Sequence, residues 1–123
     1  DRGVSFDELG VYRLLAQVDD VEGVERFAKD WLGRLIDYDN RRRSDLVLTL
    51  SRYLESGGNY EAAAAELSMH RSTVKYRVQR IKEISGHDLA DPDTRFNLQL
   101  ATRVWYTLLA VGRHDAAAPS TAQ

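Results

Sequence analysis

Residues 57–85 read GGNYEAAAAELSMHRSTVKYRVQRIKEIS, and this stretch decides the fold class. Two glycines stop whatever precedes them, and Asn59 offers a side-chain acceptor to cap a new helix. Tyr60, Ala63, Ala64 and Leu67 then recur at i, i+3, i+4 and i+7, the period of one helical face. Beyond a tight connection at Ser68, Met69 and His70, a second apolar set follows: Val74, Val78, Ile81 and Ile84. It defines the inward face of a helix over about residues 71–85, which Gly86 ends.

Helix, short turn, helix is the outline of a helix-turn-helix, in which the first helix braces the second against the major groove of DNA. Close crossing of the two requires a small residue, supplied by Ala64, while Leu67 and Val74 pin the two sides of the turn. Thr73 places a small hydroxyl where it caps the helix or meets phosphate. Many such turns have glycine where this chain has Ser68. Around the start of the second helix, His70, Arg71, Ser72, Lys75, Tyr76 and Gln79 form a polar and basic arc, and Arg80 adds a further cation. The backbone amides opening the helices after Asn59 and His70 suit phosphate, because helix N-termini carry free donors and positive dipole. Any two-helix hairpin shares part of this pattern. The alternative is a helical protein–protein interaction module without direct DNA contact, its basic face meeting an acidic surface.

Charge is distributed unevenly. The 123 residues hold 17 basic and 19 acidic side chains, a net charge of −2. Residues 1–39 carry −5, residues 40–85 carry +4 and residues 86–123 carry −1. The densest basic part, His70 to Lys82, contains no acid. Local basic clustering on an acidic chain is a polyanion signal, although a solvated helix face paired with acids elsewhere gives the same count.

Working outward, the whole chain reads as helical. Ser5 and Glu8 form a capping box, followed by an apolar face of Val11, Leu14, Leu15 and Val18. Asp19 and Asp20 then cap a helix with Val24, Phe27, Ala28, Trp31 and Leu35, and Gly33 weakens its last turn. A third helix is expected between Asn40 and Ser56, with Leu46, Val47, Leu50, Tyr53 and Leu54 inward; Arg41, Arg42 and Arg43 are read as its solvated start in preference to a phosphate clamp. Asp91 followed by Pro92 starts the last helix, which buries Leu98, Ala101, Val104, Trp105 and Leu108 and ends at Gly112. The expectation is an all-α, six-helix bundle containing a helix-turn-helix. Residues 1–39 join an upstream region, residues 40–112 form the DNA-binding domain and residues 113–123 form a disordered tail.

Residues 57–103 also resemble the C-terminal helix-turn-helix domain of the PucR and CdaR family of bacterial transcriptional regulators. The shared positions are Gly57, Gly58, Asn59, Ala64, Leu67, His70, Arg71, Thr73, Tyr76, Arg77, Gly86, Asp88, Leu89, Asp91 and Pro92. At position 72 the family usually has asparagine and this chain has Ser72. The resemblance covers residues 44–105, and residues 6–38 resemble the family's stretch between its central and C-terminal domains. It implies a cytoplasmic regulator acting at the bacterial nucleoid, with an effector-sensing region upstream. The reader of double-stranded DNA would be Asn59, His70, Arg71, Ser72, Thr73, Lys75, Tyr76, Gln79 and Arg80. Arg77, beside the inward face, is open to either a structural or a contact role. Because one reader covers only a few base pairs, the full-length protein is expected to be a homodimer.

Other classes find little support. With no cysteine and three widely spaced histidines, no disulfide scaffold and no metal site is expected, and no cofactor is implied. No apolar stretch approaches the ~20 residues that cross a bilayer. Ser72-Thr73-Val74-Lys75 has the Ser-x-x-Lys spacing of penicillin-binding enzymes, but the companion elements are absent and the chain is too short for that fold. An enzyme is not expected. The chain opens on Asp1 and is expected to be a piece of something longer.

Overall fold

The computed structural model describes residues 19–121 together with Arg13 and Gln17, and side chains as far as Gly112. Among them are five helices and no strand: α1 Val21–Arg42, α2 Leu46–Glu55, α3 Tyr60–Leu67, α4 Arg71–Ser85 and α5 Pro92–Thr121. The all-helical class stands. The count of six does not match, and the capping-box helix expected over Ser5 to Val18 lies, apart from Arg13 and Gln17, outside the described residues.

α1 begins where expected, with Asp20 Oδ1 accepting the Gly23 amide at 2.9 Å. It does not weaken at Gly33 but runs on to Arg42. One mid-helix glycine costs about 1 kcal/mol, whereas Leu35 beyond it is fully buried, a gain of about 1.5–3 kcal/mol. Burial wins. Asn40 therefore lies within α1, and α2 starts only at Leu46. The helix crosses position 39, and Arg41 and Arg42 close α1 instead of opening the next helix.

The corner is built by Asp39. Arg43 adopts a left-handed conformation at φ 53° and ends α1. Asp39 then accepts the Leu46 amide at 2.8 Å, the Val47 amide at 2.9 Å and the Ser44 hydroxyl at 2.5 Å. It caps α2 from the helix before, and the nearer Asp45 makes no capping bond.

α2 occupies the centre and packs on each of the other four helices. Leu32 and Leu35 of α1, Leu46, Val47, Leu50 and Leu54 of α2, Val74, Val78 and Ile81 of α4, and Leu98 and Ala101 of α5 share one core. α5 packs on α1 and α2, and Arg103 joins Glu55 of α2 by two bonds of 2.6 and 2.7 Å. Its start follows expectation: Asp91 Oδ2 accepts both the amide and the hydroxyl of Thr94 at 2.9 Å. Two details differ. Trp31 and Trp105, both expected in the core, are half-buried at its rim, and Val24, Phe27 and Leu108, expected inward, are likewise half-buried. α5 continues past Gly112 to Thr121, through much of the tail expected to be disordered. Gly112 has no positive φ, and the alanines after it favour helix.

Candidate nucleic-acid interface

α3 and α4 meet as the sequence indicates. Ala63 and Ala64 are buried, letting α4 cross closely, and Val74 beneath the crossing is fully buried. The turn residue is Ser68, in the left-handed region at φ 56°, the backbone state that glycine usually supplies. It is fixed by the Met69 amide donating to the Ala64 carbonyl at 3.0 Å. At the start of α3, Asn59 Oδ1 accepts the Ala62 amide at 3.0 Å. At the start of α4, His70 occupies the cap position with an exposed side chain that makes no capping bond.

The outward arc of α4 comprises Arg71, Ser72, Lys75, Tyr76 and Gln79, all exposed, with Tyr76 at 66%. Thr73 is half-buried at its edge. Arg71 is positioned by stacking: its guanidinium carbon lies 5.6 Å from the Tyr60 ring centre, and Tyr60 stacks on Tyr53 at 5.3 Å. Among the described residues neither Arg71, Lys75 nor Lys82 has an ion pair. Gln79 approaches Glu83 at the outer limit of a hydrogen bond, 3.5 Å.

Two arginines of the basic run are placed differently. Arg77 donates to Asp45 at the start of α2, which gives it a structural partner 32 residues away. Arg80 donates to Glu83 at 2.7 Å and to the Tyr38 hydroxyl at 3.3 Å. The guanidinium beside them lowers the pKa of both the Tyr38 phenol and the Glu83 carboxyl, and their hydrogen bonds in turn hold Arg80 firmly protonated. The arc is therefore cationic on the Arg71 and Lys75 side and internally paired on the Arg77 side.

Three participants escaped sequence reasoning. Tyr60 steadies Arg71 and Tyr38 steadies Arg80, through stacking that no local pattern encodes. Arg95, in the first turn of α5, brings Nη2 to 3.8 Å from where a Cβ added at Gly58 would lie, beside the loop entering α3. The Asp-Pro start foretells that first turn but not the approach to a loop 37 residues earlier. Among the described residues no group of His, Asp and Glu side chains could hold a metal ion, and no helix is long and apolar enough to cross a membrane.

Residues 46–104, from the first residue of α2 into α5, match the family model described as the PucR C-terminal helix-turn-helix domain. The chain is 32% identical over 96 residues to the DNA-binding transcriptional activator AdeR of Bacillus subtilis, covering 78% of this chain and 23% of that protein. It is 37% identical over 84 residues to the purine catabolism regulatory protein of the same organism, covering 68% and 16%. To the transcriptional activator PmfR of Paenarthrobacter nicotinovorans it is 38% identical over 74 residues, covering 60% and 16%. The chain thus spans less than a quarter of the length of these relatives. No solved structure matches.

Proposed function

Because residues 46–104 belong to the PucR C-terminal helix-turn-helix family, we propose that this chain is the duplex-DNA-binding part of a bacterial transcriptional regulator, with α4 in the major groove. The observation that carries the reading is the outward arc of α4: five exposed polar or basic residues on a helix braced by α3, with cations left unpaired. A protein-docking face would ordinarily present buried aromatic anchors in an apolar patch; here the exposed ring is a single tyrosine amid charge. The activator names of several relatives support the same direction.

Arg71 and Lys75 reach phosphate or a guanine edge. Ser72, Tyr76 and Gln79 suit base edges or a thymine methyl. Asn59, His70 and Thr73 stand at the helix starts that face phosphates, and Arg80 flanks the arc. The protein acts in the bacterial cytoplasm without a catalytic role of its own. Its full-length form, with an effector-binding region upstream, binds as a dimer whose readers lie ~34 Å apart. The test is selection of a preferred sequence from random duplexes, followed by titration of that site and a scrambled version. Enrichment of one motif and preference for it by at least ~10³-fold is expected. Equal, weak binding to both would refute sequence-specific reading.

A further inference from the structure

We propose that Arg41, Arg42 and Arg43, at the end of α1, form a second and sequence-independent contact to DNA phosphates beside the recognition helix. The inference deepens the DNA-binding reading and rests on it.

Arg80 follows Tyr76 by four residues and so stands about 40° further round α4, at the edge of the outward arc. Its guanidinium lies over the Tyr38 ring at 5.5 Å, and that of Arg42 lies over the same ring at 5.6 Å. The end of α1 is therefore held against the flank of α4 opposite the Arg71 and Tyr60 stack. Further round, Arg77 pairs with Asp45 and fixes the corner that contains Arg43.

All three arginines are exposed, and among the described residues none makes an ion pair. Of the neighbouring acids, Asp39 is committed to the amides of Leu46 and Val47 and to Ser44, and Asp45 to Arg77; Asp37, one turn before Arg41, is exposed and makes no ion pair with it. Three uncompensated guanidiniums remain on one corner. Their planar donor forks match phosphate oxygens, and a helix seated in a groove ~12 Å wide has a phosphate strand on each side. Arg71 and Lys75 face one strand; the α1 corner faces the other. The simpler explanation, cations complementing the C-terminal dipole of α1, accounts for stability alone and makes no demand on DNA.

Salt separates the two. This chain is titrated with its selected duplex and a scrambled duplex from 50 to 200 mM salt, as the parent, as R41Q/R42Q/R43Q and as the corresponding triple lysine variant. Each phosphate contact adds ~0.9 to the slope of log affinity against log salt. The glutamine variant should have a slope shallower by about two to three units, weaken both duplexes alike and keep the parent's preference between them. The lysine variant should keep the parent's slope. A glutamine variant with the parent's slope overturns the inference, as does one that loses preference while the slope stays. If the triple variant unfolds, R41Q/R43Q replaces it, since neither side chain has an ion or stacking partner among the described residues; a slope reduced by one to two units is then expected and an unchanged slope overturns. A parent that binds neither duplex refutes the DNA-binding reading itself; binding with an unchanged slope in the variants refutes only the role of the α1 corner.

Discussion

Lys75 and Arg77 lie two residues apart on α4, in the same basic run, and have opposite surroundings. Lys75 is exposed and meets no acid among the described residues, whereas Arg77 is tied to Asp45 on α2. The same split divides the helix lengthwise, with Arg71, Lys75 and Lys82 toward one side and Arg77 and Arg80 toward the other. Basic density along a sequence is therefore not basic density on a surface. Two of the five cations between residues 71 and 82 spend their charge inside the fold, and the remaining ones make the surface available to a polyanion.

Ile81 is fully buried under both sides of α4, so Ile81→Ala should cost about 2–5 kcal/mol in chemical denaturation. It should weaken DNA binding only to the extent that it unfolds the domain; full binding loss at temperatures where the variant is folded would show that α4 is oriented by something other than this core.

On the outward side the expected cost is in recognition. Gln79→Ala or Tyr76→Phe should lose about 1–3 kcal/mol of affinity on the selected operator, with little change on scrambled duplex. Thermal stability should stay within about 0.5 kcal/mol of the parent, as at other exposed sites. Equal losses on both duplexes would move these residues from base edges to the backbone.

A smaller effect belongs to acid. Asp91 caps α5, and the amide and hydroxyl of Thr94 hold its carboxyl below the usual carboxylate range in the folded state. Its contribution is thus fully present above an unfolded value of about 3.9 and is lost as pH falls through the lower folded value. Asp91→Asn should melt below the parent at neutral pH, and the gap should narrow on acidification below pH ~4. A gap independent of pH would mean that the charge plays no part in the cap.

The α3–α4 pair was legible because its signals are local. Asn59, the Gly57-Gly58 stop, Gly86 and the Asp91-Pro92 start each act within four residues of where they stand, and the elements begin and end there. α1 was misread for the converse reason. Gly33 is a local sign of weakness, but the burial of Leu35 that overrides it depends on helices distant in sequence. The cap of α2 comes from Asp39, seven and eight residues before the amides it holds. The site shows the same division. The outward arc follows from helical period alone, while the roles of Arg77 and Arg80 depend on partners 32 and 42 residues away. Local spacing allowed either role for Arg77, and the ion pair with Asp45 comes from a residue that spacing could not bring near.

Lys75→Ala and Arg77→Ala, compared in one salt titration on operator duplex alongside their melting curves, test the division of α4 most directly. Lys75→Ala should reduce the salt slope by about one unit and leave melting unchanged. Arg77→Ala should leave the slope as in the parent and lower stability by up to about 1 kcal/mol, as a solvent-accessible ion pair allows. The reverse outcome, a slope that follows Arg77 and a stability that follows Lys75, would contradict the account.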